Sequence, residues 1–146
     1  MRRRGLITVA AAVVAFLGFQ GAACGDSDGP TDEAPTSAAS LRSRTVESGA
    51  VTVKITPLRI DAKGATFKLT FDTHSVELSS DVERTAHLTV GDVTWPTTSW
   101  SGDGPGGHHR EGTVSFSAAG RAVGPVELQL EELPTAVSVS WTLPGR

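Results

Sequence analysis

The stretch that decides the fold is VSVSWTL at residues 137–143, near the carboxyl end of the 146-residue chain. Its apolar side chains alternate with small polar ones, and a period of two is typical of a β-strand that buries one face. One face of this strand would carry Val137, Val139, Trp141 and Leu143, and the other Ser138, Ser140 and Thr142. The segment therefore predicts a half-buried strand.

The same alternation recurs upstream, and turn-forming residues separate one run from the next. The alternating apolar residues are Val51, Val53 and Ile55; Phe67, Leu69 and Phe71; Ala86, Leu88 and Val90; Val114 and Phe116; and Val126, Leu128 and Leu130. No stretch has a convincing helical period. Short strands at turn spacings of about ten residues predict an all-β domain over residues 46–146, an immunoglobulin-like β-sandwich. A small closed barrel is the alternative architecture.

The first 23 residues have the layout of a signal peptide. Arg2, Arg3 and Arg4 form a positive region, residues 5–19 are apolar, and small residues follow. The apolar run is short for a membrane span, which needs about 20 residues. An uncleaved amino-terminal anchor is the alternative interpretation, and the arginines also leave twin-arginine export open beside the general secretory route.

GAAC at residues 21–24 ends in the only cysteine of the chain. This segment resembles the lipobox of bacterial lipoproteins, although Gly21 stands where that motif usually has leucine. The resemblance implies that the thiol of Cys24 receives a diacylglyceryl group, which would hold the protein at the outer face of the cell membrane. Cleavage after Ala23 with Cys24 left as a free thiol is the alternative.

Residues 24–45 read as a flexible tether between the lipid and the domain. Gly, Ser, Thr, Pro, Asp and Glu dominate the segment, and Leu41 is its only large aliphatic residue. Such a composition cannot bury enough apolar area to offset the entropy lost on ordering. We therefore predict three parts: the signal peptide, the lipidated tether and the β-domain.

The predicted mature chain is acidic. Residues 1–23 hold three of the 13 basic residues and none of the 16 acidic ones, so residues 24–146 carry ten positive against 16 negative charges, a net of −6. Nucleic-acid binding requires a basic face, so this class of partner is not expected. Contact with the membrane is expected through the lipid alone, and an envelope protein or polymer is the expected kind of partner.

Two segments interrupt the strand pattern and contain three of the four histidines: DTHS at 72–75 and GGHHREG at 106–112. By parity, Asp72 and His74 share the outward face of one strand, and His109 and Glu111 share that of another, while His108 would point inward. These residues are candidate ligands for zinc or copper. A purely structural polar cluster is the alternative, because such side chains also bond to backbone amides at strand ends.

Trp95 and Trp100 flank a short polar segment and are candidates for an exposed aromatic contact to a glycan or peptide. The alternative is that they pack over the core, where large aromatics usually lie. No serine lies in a nucleophile elbow and no phosphate-binding loop is present. An enzyme is therefore not expected, with a metal-dependent hydrolase as the remaining enzymatic alternative.

The DTHS and GGHHREG segments, with WSG at residues 100–102, resemble a domain found in exported bacterial proteins of uncharacterised function. The resemblance covers about residues 48–143 and implies a compact extracytoplasmic β-domain. The sequence as a whole predicts a membrane-anchored binding module, with a transition metal as the candidate ligand. The alternative is a structural or protein-interaction module of the cell envelope that has no small ligand.

Overall fold

The computed structural model describes residues 41–143, and the regular structure of this part of the chain is almost entirely β-strand. The predicted signal peptide, Cys24 and most of the predicted tether lie outside the described residues. Within residues 41–143 no helix is long or apolar enough to span a bilayer. The predicted all-β class is confirmed for this region, because the strands assemble into two antiparallel sheets.

Nine strands and one short helix make up the described region. In chain order they are β1 (Arg44–Ser48), β2 (Val51–Asp61), β3 (Gly64–Thr73), α1 (Val82–Thr85), β4 (Ala86–Val90), β5 (Val93–Trp95), β6 (Thr97–Gly102), β7 (His109–Ser117), β8 (Pro125–Leu130) and β9 (Val137–Thr142). The helix is a single turn, and the Asp81 carboxylate accepts a hydrogen bond from the Arg84 amide at its amino end. This is the usual role of an aspartate that precedes a helix.

The nine strands form one five-stranded sheet and one four-stranded sheet. The larger sheet has the order β1-β2-β3-β7-β6, and the smaller has the order β5-β4-β8-β9. The chain passes from the larger sheet to the smaller after β3, returns after β5, and crosses again after β7. The central pair β3–β7 joins strands that are far apart in sequence, with Asp72 opposite His109 at one end and Gly64 opposite Ser117 at the other.

Alternating side chains of both sheets meet in one hydrophobic core. In β9, Val137, Val139 and Trp141 are buried, whereas the serines between them are exposed, as the alternation predicts. The Phe67 ring of the larger sheet lies 5.5 Å from the Trp141 ring of the smaller one. This contact joins two of the alternating runs that the sequence marks as core.

Some strands differ from the sequence pattern in length or were not predicted. Strand β1 begins at Arg44, inside the predicted tether, and the short strands β5 and β6 lie where the sequence has turn residues and tryptophans but no alternating run. β6 is largely exposed, so it has no run of buried residues that could produce a period of two. Strand β2 is longer than predicted and has a register shift between Pro57 and Arg59.

Candidate functional site

The two histidine-bearing segments lie side by side at one end of the larger sheet. β3 ends at Thr73 and β7 begins at His109, and the Thr73 amide donates to the His108 carbonyl over 2.9 Å. We call this region, residues 72–78 with 103–109, the histidine end. The pairing of β3 with β7 therefore brings together the two segments that the sequence singles out.

Asp72 and His109 form a direct pair at the histidine end. They are opposite each other in the β3–β7 register, and His109 Nδ1 lies 2.5 Å from Asp72 Oδ1. Because an ionised carboxylate only accepts, the Nδ1–H donates and the ring orientation is fixed. Both side chains are 58% exposed. The hydrogen bond to Asp72 raises the pKa of His109 above its ordinary value of 6.5, and the negative charges of Asp72, Asp103 and Glu111 act in the same direction.

Glu111 lies on the same outward face of β7 as His109, but its carboxylate does not take part in the Asp72–His109 pair. Its carboxylate pairs with Lys68 Nζ at 2.8 Å and accepts from the Thr70 hydroxyl at 3.3 Å. The hydrogen bond from Lys68 lowers the pKa of Glu111. The outward parity predicted for Asp72, His109 and Glu111 agrees with their exposure, and Glu111 is engaged with its neighbours on β3.

His74 and His108 both lie just outside the strands and are exposed. The inward direction predicted for His108 is wrong, because β7 begins one residue later and strand parity does not extend to residue 108. His74 lies in a bend after β3 and so does not continue that strand's face. Among residues 41–143 no three His, Cys, Asp or Glu side chains are grouped so as to hold a metal ion. Metal binding by the predicted set stays a prediction.

Backbone hydrogen bonds fasten the two loops of the histidine end to each other. The Leu78 amide donates to the Gly107 carbonyl at 3.0 Å, and the Gly106 amide donates to the Leu78 carbonyl at 2.8 Å. Gly106 and Gly107 have φ values of +115° and +73°. L side chains rarely adopt this backbone conformation, so the turn requires glycine at both positions. The glycine-rich loop thus forms a defined turn against residue 78.

A buried arginine holds the same loops from inside. Arg110 is only 2% exposed, and its guanidinium donates to the carbonyls of Leu78 at 3.1 Å, Ser80 at 2.8 Å and Asp103 at 3.2 Å. Burial lowers the pKa of Arg110, while the charges of Asp103 and Asp81 oppose this effect. The Arg110 side chain of β7 is therefore hydrogen-bonded to both the loop that follows β3 and the loop that follows β6.

Trp100 and Asp103 complete this network. The Arg110 guanidinium carbon lies 5.7 Å from the centre of the Trp100 ring, a cation–π contact, and Trp100 Nε1 donates to the Asp103 carbonyl at 3.0 Å. The Asp103 carboxylate accepts from the Glu111 amide at 2.8 Å. The sequence reasoning missed Arg110 and Asp103. The signal for Arg110 was its place between two outward-facing residues, which gives a charged side chain the inward parity.

The two candidate aromatic-contact residues have different environments. Trp95 is 1% exposed and belongs to the core, as the alternative of packing over the core predicts, so its interpretation as an exposed aromatic contact is wrong. The reason is its place on β5 opposite Leu88, where its ring faces the space between the sheets. Trp100 is half-buried with its ring against Gly112, where an added Cβ would overlap Trp100 Cζ2. The Trp100 ring is therefore already occupied by contacts within the domain.

Comparison with known proteins adds no relative. Scans against protein-family models, curated proteins and solved structures each find no match to this chain. The resemblances to the lipobox and to an exported β-domain therefore stay predictions.

Proposed function

We propose that this chain is an exported lipoprotein whose Cys24 carries the lipid and whose domain is an immunoglobulin-like sandwich. The strand order supports the architecture: β2, β3, β7 and β6 take the places of strands A, B, E and D, and β5, β4, β8 and β9 those of C′, C, F and G. Strand β1 is an addition at the A edge. The anchor is supported by the layout of residues 1–24, namely three arginines, an apolar run, small residues and the only cysteine.

The anchor is tested in cells that express the full chain. Cys24→Ser should release the protein from the membrane fraction and abolish labelling by a fatty-acid analogue, because the thiol is the attachment point. A matched control is Ser43→Ala, which alters a hydroxyl in the described region and leaves the cysteine. Labelling that persists in Cys24→Ser rules out lipidation at this residue.

We further propose that the domain is a binding module and that its ligand site is the histidine end. The observation that carries this proposal is the pairing of Asp72, at the end of β3, with His109, at the start of β7. The exposed His74 and His108 lie on the adjoining loops, which are hydrogen-bonded to each other. Loops positioned by a rigid sheet are the usual place for binding residues. In the immunoglobulin-like assignment these are the B–C and D–E loops, which lie at the same end of a sandwich as the F–G loop.

The pair of Asp72 and His109 favours a ligand that takes up the second ring nitrogen of His109. A carboxylate that accepts from one nitrogen of a histidine orients the ring and increases the basicity of the other nitrogen. That arrangement suits a transition metal, for which His74 and His108 would be further ligands after rotation of their side chains. It also suits an acidic or hydroxyl group of an envelope protein or polymer, which is the second candidate ligand.

A metal titration distinguishes the two ligands. The detergent-solubilised full chain is melted with zinc, copper or nickel, and a metal at 100 times its Kd adds about 2.7 kcal/mol, a rise in Tm of several degrees. The rise should disappear in the double variant His108→Ala/His109→Ala. The matched control is His87→Ala, since His87 is an exposed histidine that faces Glu131 at 3.6 Å on the smaller sheet.

The absence of any metal-induced rise in Tm would leave an envelope protein or polymer as the remaining candidate ligand. Capture of envelope components by the wild-type chain would then be compared with capture by Asp72→Asn and by His87→Ala. Loss in the Asp72 variant alone supports binding at the histidine end. Equal capture by all three chains, with no metal effect, would refute the proposal that this end is the ligand site.

A further inference from the structure

The four edges of the two sheets differ in how they are protected against pairing with another chain. An exposed edge strand presents free amides and carbonyls, and charges, prolines, bulges or short length usually prevent its extension. Strand β1 carries exposed Arg44 and Glu47, and β5 has three residues and is followed by Pro96. Strand β6 has a register shift between Thr97 and Ser99, and a neighbouring side chain covers part of its edge.

The side chain that covers part of the β6 edge is Glu83 of α1. Its carboxylate accepts a hydrogen bond from the Trp100 amide at 3.2 Å. The paired residues Ser99, Ser101 and Asp103 direct their amides to β7, so the amide of Trp100 faces away from the sheet. A carboxylate at this point occupies the donor that an added strand would need.

Strand β9 has none of these protections. Residues 137–142, VSVSWT, contain no charge, proline or glycine, and their register with β8 runs without a shift. Among residues 41–143 no strand pairs with the outer side of β9. Strand β1 and the residues before it lie beside β9 in the facing sheet: the Arg42 carbonyl accepts a hydrogen bond from Trp141 Nε1 at 2.9 Å, and Ser48 Oγ accepts one from the Thr135 amide, just before β9, at 2.9 Å. Within residues 41–143 β1 nevertheless pairs with β2 alone.

The register with β8 shows which backbone groups of β9 face outward. The Leu143 amide donates to the Gly124 carbonyl at 3.3 Å, so the alternate residues Val137, Val139 and Trp141 also direct their backbone groups to β8. The amides and carbonyls of Ser138, Ser140 and Thr142 therefore point to the free edge. Pro125, which lacks an amide hydrogen, is opposite Thr142, and a proline fits that non-bonded position.

We propose that β9 pairs with β9 of a second copy of this chain, extending the smaller sheet across a two-fold axis. In antiparallel pairing with the axis at Ser140, Ser140 is opposite its own copy and Ser138 is opposite Thr142. This register uses every outward-facing amide and carbonyl of the strand. Main-chain pairing of this kind is a general mode of protein association.

The side chains of β9 favour a second copy as the occupant. A two-fold axis places identical residues near each other, so any charge near the axis would meet a like charge. The exposed side chains here are Ser138, Ser140 and Thr142, which are small and neutral. The acid Glu127 lies one strand further in, opposite Ser140 on β8, and accepts a hydrogen bond from Ser138 Oγ at 2.6 Å. Like-charge repulsion at the axis is thereby avoided.

Cysteine cross-linking tests the register. In the full chain carrying Cys24→Ser, an introduced thiol is the only one present. With Ser140→Cys the two Cα atoms would be about 5.5 Å apart, within the span of a disulfide. With Ser138→Cys the two thiols would be separated by four residues along the strand, roughly 13 Å, which is too far. We expect about tenfold more covalent dimer from Ser140→Cys than from Ser138→Cys.

A proline variant tests the interface without new chemistry. Ser140→Pro removes an amide hydrogen that faces the free edge, so the domain should keep its circular dichroism spectrum and sediment as a monomer. The control Val139→Pro removes an amide that bonds to β8 and should unfold the smaller sheet. Monomeric wild-type protein, a dimeric Ser140→Pro variant, or equal cross-linking at residues 138 and 140 would each overturn the proposal. If β9 instead pairs with a strand of another protein or with residues 25–40 of its own chain, the purified wild-type protein would sediment as a monomer.

Dimerisation through β9 is separate from the proposed binding function and does not depend on it. The tested residues lie on the smaller sheet, whereas the histidine end belongs to the larger one. Loss of dimerisation would leave the metal and capture experiments unchanged, so failure of one proposal is distinguishable from failure of the other.

Discussion

Replacing the buried arginine should show how strongly the histidine end depends on one side chain. Arg110→Ala removes three hydrogen bonds to carbonyls and the contact with Trp100. The bond to Leu78 is buried, and leaving that carbonyl without a partner costs about 1–3 kcal/mol. The bonds to Ser80 and Asp103 are part-buried, so water replaces them and each contributes about 0.5–1 kcal/mol.

Loss of the cation–π contact adds about 0.5–1 kcal/mol, and relief of the buried charge offsets part of the sum. We therefore expect Arg110→Ala to lower the free energy of unfolding by about 3 kcal/mol, near the lower end for breaking a buried charged contact. For a domain of this size the Tm should fall by about 10 °C or more. Arg110→Lys should lose about 2 kcal/mol, because a point charge cannot serve three carbonyls in a fork.

Urea and thermal unfolding measure these losses, and the matched control is Arg59→Ala. Arg59 pairs with Asp61 at 3.1 Å, and the two side chains are 43% and 37% exposed, so its loss should cost no more than about 1 kcal/mol. Hydrogen exchange should rise at residues 74–80 and 103–108 in Arg110→Ala and stay unchanged in the control. A loss for Arg110→Ala within about 0.5 kcal/mol of the control would refute the role assigned to this side chain.

Three further predictions concern the histidine end and its supports. The pKa of His109 lies above 6.5, so the stability gained from its protonated pair with Asp72 is present below pH 6.5 and is lost as the pH rises through the raised value. An NMR titration should show the His109 midpoint falling in Asp72→Asn, and an unchanged midpoint would contradict the pairing. Gly112→Ala should displace the Trp100 ring, lower the free energy of unfolding by about 1–3 kcal/mol and shift the tryptophan fluorescence. The control Gly104→Ala should change neither stability nor fluorescence, because a Cβ there meets nothing within 4 Å. Gly107→Ala should destabilise the loop because of its φ of +73°, lowering Tm by several degrees without altering the spectrum of the core.

Much of the site could be located from the sequence, though not its contacts. The period of two gave the outward positions of Asp72, His109 and Glu111, which the exposure of these residues matches. It failed at His108, because the face of a strand is defined only within the strand and β7 begins at the next residue. It also left open whether DTHS and GGHHREG meet, since a period describes one strand and carries no information about its neighbours.

The sequence by itself determined that the described region is all-β and which faces of its main strands are buried. These properties are local, because the alternation of apolar and polar side chains along a strand sets its buried face. Only the tertiary structure decided that β3 pairs with β7, and so placed Asp72 beside His109 across 37 residues of chain. It also decided that Arg110 is buried among loop carbonyls. Partner choice and register depend on how all strands close one shared core, which no single segment encodes.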